Sequence, residues 1–279
     1  MNLTLSDRMR KYENIERRYL TPRNAVILRL DGCHFHTYTK CFKKPYDSLF
    51  LNAMRVTAKL LCENIQGAKL AYTQSDEISI LLIDFDKINS QRWFNGNIQK
   101  MVSVSASMAS IYFYKALENE VYAFNYQTPE EYEYIEKLKD HLAGATAVFD
   151  SRCFILPKEE VVNYFRWRQI DCTRNSIQSA AQTYFSPSEI HNKTCDQLQE
   201  MLFTEKNINW SKYPSYFKNG SCIIKKEIER EVKNPKTGEI VNIMRPTWVE
   251  DKEIPIFTQN RDYIRTLVYP EWDSNHVDG

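Results

Sequence analysis

Two short acidic segments carry the residue types that chemistry requires. Arg29-Leu30-Asp31-Gly32-Cys33-His34-Phe35-His36 follows an apolar run. Forty-five residues after Asp31, Asp76 stands in Tyr72-Thr73-Gln74-Ser75-Asp76-Glu77-Ile78-Ser79. Each segment reads as a strand end that carries carboxylates into a turn. Two strands delivering acids to one place make a divalent-metal site of hard oxygen ligands, and metal-bound carboxylates are the usual machinery for moving nucleotides. Asp31 and Asp76 supply carboxylates, and Gly32, lacking a Cβ, can bring its carbonyl close. Glu77 is a third acid nearby. The plainer alternative is a pair of solvated turn aspartates, since Asp favours turns.

Neighbouring residues admit a functional and a plain reading side by side. His34 and His36 alternate around Phe35 next to Cys33. Zinc would need more His or Cys in reach, so the choice lies between a phosphate or base contact and ordinary turn histidines. Backbone N–H groups from Asp31 to His36 could cradle a triphosphate. Lys100 stands near a helix start after Trp93-Phe94-Asn95-Gly96-Asn97, where a cation can join the helix dipole in holding phosphate, or simply be solvated. Lys43-Lys44-Pro45 is ambiguous in the same way. The run Arg174-Asn175-Ser176-Ile177-Gln178-Ser179-Ala180-Ala181-Gln182 suits polynucleotide contacts, a polar helix face or an oligomer interface. The sequence holds no Gly-rich P-loop, no G-x-S-x-G and no supported Cys/His nucleophile pair.

The elements that must position these groups follow from periodicity. Leu5 to Tyr19 reads as a charged helix, with Asp7 rather than Ser6 at its cap. Ala25 to Leu30 reads as a buried strand. Pro45 and Asp47 open a helix in which Phe50, Met54, Thr57 and Leu61 share a face, and Gly67 ends the stretch. Leu70–Thr73 and Ile78–Ile83 form a hairpin around the second acidic segment. Gln99 to Leu117 is a long helix whose Ser and Ala residues allow close packing on a sheet. Ala147 to Leu156 is a strand broken by Asp150-Ser151-Arg152. The order strand, helix, strand, strand, helix, strand is that of the ferredoxin-like split βαβ unit, in which Asp31 and Asp76 meet at one sheet edge. Beyond Pro157 come helices over Glu159–Gln182 and Thr194–Phe203. A hairpin of Cys222–Glu231 and Ile240–Val249 around Asn234–Gly238 follows, and a polar tail frays from Asn275.

Composition bounds the setting. The formal net charge over 279 residues is +1, so nucleic acid, if bound, is held by local patches. Seven Cys are scattered without a C-x-x-C, which argues against a disulfide framework and a structural zinc and fits a reducing cytoplasm. Met1 to Tyr19 is charged throughout, unlike a signal peptide, and no apolar run of about 18 residues offers a membrane span.

Taken together, Arg29-Leu-Asp-Gly32, Phe35-His36, Lys44-Pro45-x-Asp47, Ala71-Tyr-Thr-Gln-Ser-Asp-Glu77, Trp93-Phe94, Phe149-Asp-Ser-Arg152 and Trp167-Arg168-Gln-x-Asp171 resemble the tRNA-histidine guanylyltransferase family from about residue 5 to residue 225. The resemblance implies an α+β fold. Residues 1–157 would form a ferredoxin-like polymerase-palm catalytic domain. Residues 158–279, additional helices and a C-terminal β-hairpin, would pack on it as one unit. It implies 3′-to-5′ nucleotide addition to the 5′ end of tRNA, with GTP and ATP as substrates and two Mg²⁺ ions. Asp31, Asp76 and Glu77 would be catalytic, and Asp31, Asp76 and the Gly32 carbonyl would ligate metal. Asp31, Gly32, Cys33, His34, Phe35, His36, Lys44, Ser75, Asp76 and Lys100 would hold nucleotide, and Arg174 and Asn175 tRNA. A cytoplasmic homo-oligomer, a tetramer, is implied as well.

The chain departs from the eukaryotic pattern after Trp167-Arg-Gln-Ile-Asp-Cys172. Thr173-Arg174-Asn175-Ser176 stands where those enzymes have His-Ile-Asn-Asn. That form looks like the bacterial and archaeal guanylyltransferase-like branch, which implies template-directed repair of 5′-truncated tRNA. A nucleotidyl cyclase shares the palm topology and paired aspartates, and a non-catalytic RNA-binding module is the reading from another class. Retention of all three acids weighs against the last.

Overall fold

The strand sequences dictate the layers. Ala25–Gly32 (β1) opens on four consecutive buried apolar residues, Ala25 to Leu28, as a strand covered on both faces does. Val26, Leu28 and Leu30 join one core, and Ala25 and Ile27 join another. The computed structural model describes residues 4–233 and 238–269. Ala68–Gln74 (β2), Glu77–Leu82 (β3), Phe149–Leu156 (β4), Ser221–Lys233 (β5) and Ile240–Asp251 (β6) complete a sheet of six strands in the order β4-β1-β3-β2-β5-β6. All five pairings are antiparallel. The four strands β4-β1-β3-β2 form the split βαβ arrangement that the element order predicts.

Ten helices accompany the sheet among the described residues: Leu5–Ile15 (α1), Phe35–Tyr38 (α2), Ser48–Asn64 (α3), Ile98–Tyr122 (α4), Pro129–Gly144 (α5), Glu160–Tyr184 (α6), Pro187–Ile190 (α7), Cys195–Lys206 (α8), Ser215–Lys218 (α9) and Asp262–Val268 (α10). On one face, Met54, Leu61, Phe113, Leu117, Ile135 and Leu138 of α3, α4 and α5 are buried with Leu28, Leu30, Ile78 and Ile80. On the other, Val161, Phe165, Ile264 and Val268 of α6 and α10 are buried with Ile27, Leu70, Tyr72 and Leu81. The second half of α6 makes a third core with α8 through Ile177, Ala180, Leu198 and Leu202.

Several details depart from the sequence reading. Thr4, not Asp7, caps α1. Its hydroxyl accepts from the Asp7 N–H while the Asp7 carboxylate accepts from the Thr4 N–H, and the helix ends at Ile15. Helix α5 was not expected, although Thr128 at its cap, Pro129 in its first turn and Glu130 and Glu131 beside it are standard start signals. Strand β4 is unbroken. Asp150, Ser151 and Arg152 pair with Asp31, Leu30 and Arg29, and they are polar because β4 is an edge strand with an open face. Helix α3 begins as expected at Asp47, whose carboxylate accepts the N–H groups of Leu49 and Phe50 at 2.9 and 3.1 Å. Strand β5 meets β2 only over Ser221–Ile224, so the rest of it pairs with β6 alone. Residues 234–237 of the expected turn and the tail from Asn275 lie outside the described residues. Among the described residues no helix is long and apolar enough to cross a membrane.

Candidate active site at the end of the sheet

Strand register brings the two acidic segments together. Asp31 stands opposite Glu77 of β3 and Asp150 of β4, and the Gly32 N–H donates to the Asp76 carbonyl at 3.1 Å. β1 and β3 are interior strands, so the meeting point is the end of the sheet rather than its edge. Gln74 pairs with Glu77, leaving Ser75 and Asp76 as a two-residue turn. Ser75 has φ +48° and His34 has φ +57°, so each turn holds a non-glycine residue in the left-handed region. Such conformations persist where the surroundings over-determine them, and they cluster at functional sites. A Cβ on Gly32 would lie 2.4 Å from the Phe35 ring. That ring stacks on Tyr38 at 5.1 Å and meets Phe149 edge-on at 5.0 Å. His34 caps α2 without a side-chain hydrogen bond, and the N–H groups of Gly32, Cys33 and Thr37 donate to the carbonyls of Asp76, Val148 and His34.

The three acids have different electrostatic surroundings. Burial pushes the Asp31 carboxyl up to about 6; the charges of Asp76 and Glu77 add to the rise, and Arg29 opposes it. Burial raises Asp76 too, against hydrogen bonds from its own backbone and from Ser75. Glu77 is occupied otherwise. Arg168 Nε and Nη2 donate to its two oxygens at 2.8 and 2.6 Å, Arg29 Nη2 lies at 2.9 Å, and the Ser79 hydroxyl donates at 3.1 Å. Its surroundings set Glu77 apart from Asp31 and Asp76, with which the sequence groups it as a third catalytic acid. It is the first residue of β3, its side chain turns toward α6, and its oxygens are spent on arginines.

The remaining donor set fits magnesium. Among the described residues no three His, Cys, Asp or Glu side chains are grouped to hold a metal. Two crowded carboxylates are the sparse, hard set that Mg²⁺ accepts when it keeps waters and substrate phosphates as its other ligands. Cys33 does not extend the set. Its thiol is pushed up by burial and by Asp150, 3.8 Å away, and stays protonated.

A cavity of about 290 Å³ opens beside Asp76. Phe35, Phe42, Tyr46, Tyr216 and Phe217 give it aromatic walls, and His36, Lys44, Gln74, Ser75, Asp76 and Asn175 give it polar groups. This mix of apolar lining and a few polar groups suits a nucleoside-sized ligand. The structure thus brings Phe35, His36, Lys44, Ser75 and Asp76 to one cavity, with Asp31 and Gly32 joined to it through the Gly32–Asp76 hydrogen bond.

Other expected residues are placed elsewhere. Lys100 is exposed in the first turn of α4, with its ammonium 5.8 Å from the Phe94 ring centroid, and does not line the cavity. Cys33 and His34 do not line it either. Arg174 and Asn175 diverge: Arg174 is exposed and ion-paired with Asp171, whereas Asn175 points into the cavity. Neighbours on a helix are 100° apart, so one run serves two surfaces.

Sequence reading missed the cavity's Tyr46, Tyr216, Phe217 and Gln74. Gln74 is buried, and its Oε1 lacks a hydrogen-bond partner. The available signal was composition, with 17 Tyr and 14 Phe in the chain. It missed Arg168 as well, for which the Trp167-Arg168-Gln-x-Asp171 motif was the cue.

A sequence model described as "Thg1: tRNAHis guanylyltransferase" matches residues 6–157, and one described as "Thg1 C terminal domain" matches residues 159–265. An uncharacterized protein, R259, of Acanthamoeba polyphaga mimivirus is 33% identical over 241 residues, 82% of this chain and 79% of that one. A tRNA(His) guanylyltransferase of Debaryomyces hansenii is 29% identical over 220 residues, 74% of this chain and 76% of that one. Among solved structures, a bacterial Thg1-like protein in complex with ATP superposes with a TM-score of 0.78 at 41% identity, covering 96% of this chain and 100% of that one. Its counterpart in complex with GTP gives 0.74 at 39% identity, covering 95% and 99%.

Proposed function

Because the chain belongs to the tRNAHis guanylyltransferase (Thg1) family, we propose that it adds nucleotides in the 3′-to-5′ direction to the 5′ end of tRNA. The observation that carries this reading is the pair of crowded carboxylates, Asp31 and Asp76, at the mouth of an aromatic-walled cavity. The aromatic rings would hold the base of the incoming nucleoside triphosphate, with Gln74 and Asn175 offering polar contacts. Lys44, Ser75 and the Asp31–His36 turn would hold the triphosphate. The 3′-hydroxyl of that nucleotide attacks the α-phosphorus of the tRNA 5′ end. A new phosphodiester forms, and pyrophosphate leaves a 5′-triphosphate end, or AMP leaves an adenylylated one. Mg²⁺ bound by Asp31, Asp76 and the Gly32 carbonyl would supply charge neutralisation and a lowered hydroxyl pKa.

The favoured substrate is a 5′-truncated tRNA, extended against its own 3′ strand as template. The run Thr173-Arg174-Asn175-Ser176 supports this choice, since Ser176 lines the cavity where the eukaryotic pattern has Asn. The 41% identity to a bacterial Thg1-like protein supports it too. Arg174 would contact the tRNA from outside. Residues 1–157 would be the palm and residues 158–279 its packed extension, in a cytoplasmic homo-oligomer whose cysteines stay free.

The test uses labelled GTP with tRNA transcripts lacking one or two 5′ nucleotides, bearing 5′-hydroxyl, monophosphate or triphosphate ends. Template-matched addition to the phosphorylated ends, with ATP needed only for the monophosphate, is the expected result. Incorporation into histidine tRNA alone would overturn the repair reading. Pyrophosphate release without tRNA would point to a cyclase.

A further inference from the structure

Template-directed transfer must bring two nucleotides to the acids, and the cavity accounts for only one of them. On the opposite side of Asp31 stands Trp167, in the middle of α6, with 52% of its surface exposed. Arg29, Asp31 and Trp167 line no part of the cavity. The indole is held in place by its neighbours. The Arg168 guanidinium lies 4.3 Å and the Arg29 guanidinium 5.9 Å from its ring centroid, and the Tyr164 ring meets it at 5.9 Å. Arg29 in turn lies 3.6 Å from Asp31 and 2.9 Å from Glu77, so one side chain separates the exposed ring from Asp31. Ile170, 55% exposed, and Arg174, its side chain 58% exposed, continue the stripe along the same helix face. Arg152, also exposed, lies 4.0 Å from Asp31 on its other flank.

We propose that Trp167 is the stacking platform for the terminal base at the tRNA 5′ end, and that the stripe from Trp167 to Arg174 seats the adjoining acceptor strand. A rigid, half-exposed indole offers a π-face to any base without reading its identity, which suits an end that changes with each addition. Arg168 and Arg29 are matched by Glu77, so the charge offered to a polyanion comes from the exposed side chains of Arg174 and Arg152 at the two ends of the surface. The inference rests on the proposed reaction at Asp31 and Asp76.

The test compares the full-length protein with Trp167→Ala and Trp167→Phe. The probe is a synthetic acceptor-stem hairpin RNA with a 5′-monophosphate. Trp167→Ala should bind it about tenfold more weakly, while Trp167→Phe keeps most of the affinity. GTP affinity and molecular size should be unchanged in both. RNA should quench indole emission in the wild-type protein, and the quench should be largely lost in Trp167→Phe. Unchanged RNA affinity in Trp167→Ala would overturn the proposal. So would a variant that separates into smaller species yet binds RNA per chain as before, because the stripe would then face a second copy. If the wild-type protein neither binds the hairpin nor extends tRNA, the proposed function falls along with this inference. Wild-type extension with an unaffected Trp167→Ala overturns the inference alone.

Discussion

Two regions at the same end of the sheet treat carboxylates in opposite ways. Around Asp31 and Asp76, negative charge is concentrated. Burial and mutual repulsion disfavour ionisation, and arginines reach only the edge of the Asp31 group. Around Glu77, one residue along the chain, the charge is matched by Arg168 and Arg29 and completed by the Ser79 hydroxyl. The first arrangement leaves unmet demand for a cation, which function can use. The second meets that demand within the fold and fixes where the first one sits. Adjacent acids therefore differ: Asp76 is left without a cationic partner, and Glu77 is held by two arginines. Asp76 lies in the turn between β2 and β3, whereas Glu77 is the first residue of β3 with its carboxylate on Arg168 of α6.

The comparison breaks most visibly if Asp76→Ala is active. We expect nucleotide addition to fall about a thousandfold or more, as when a preorganised charge acting on the reacting centre is lost, while the thermal midpoint is kept. Wild-type turnover in Mg²⁺ would remove Asp76 from the chemistry. Glu77→Ala should do the reverse and act on the fold first. It leaves Arg168, which is 3% exposed, without its main partner, and denaturant titration should show a loss of about 3–5 kcal/mol. A variant as stable as wild type but inactive would return Glu77 to the catalytic set.

The cavity sharpens the contrast at a smaller scale. Lys44→Ala should weaken GTP binding by about 1.5 kcal/mol, the low end for a charged contact because the residue is exposed, with tRNA affinity unchanged. An unaltered nucleotide titration would make Lys44 a solvated surface lysine.

The smallest effect concerns pH. The folded carboxyl of Asp31 titrates near 6 against an ordinary 3.8. Between those values the folded state holds more protons than the unfolded one, so the metal-free protein loses stability as pH rises through that window. Asp31→Asn removes the penalty. At pH 7 without metal the variant should exceed wild type by about 1 kcal/mol, discounted for solvent screening, and the gain should vanish at pH 4. Added Mg²⁺ should stabilise only the wild type. A gain that is the same at both pH values would assign the effect to something other than charge.

Much of the fold was legible because its signals are local. The apolar run that opens β1, the Asp47 cap and the element order gave the palm and placed Asp31 near Asp76. Helix α5 carried the same kind of signal in Thr128 and Pro129 and was overlooked. The Glu77–Arg168 pair is different in kind. Its members lie 91 residues apart, and nothing in either neighbourhood announces the other. The cavity is equally non-local, since Tyr46, Gln74, Asn175 and Tyr216 come from four separate segments. Arg174 and Asn175 could not be told apart without knowing how α6 is rotated against the sheet.

The Phe35 ring lying over Gly32 sets a limit on how this protein can vary. Position 32 has no side chain to lose, yet even a methyl group there would displace a ring wedged among Tyr38, Phe113 and Phe149. The demand for glycine beside Asp31 is thus a packing demand. A library screened only for soluble, folded protein should already reject substitutions at this position, before any substrate is offered. An inherited Asp-Gly pair here records the shape of the aromatic core as much as the reaction it borders.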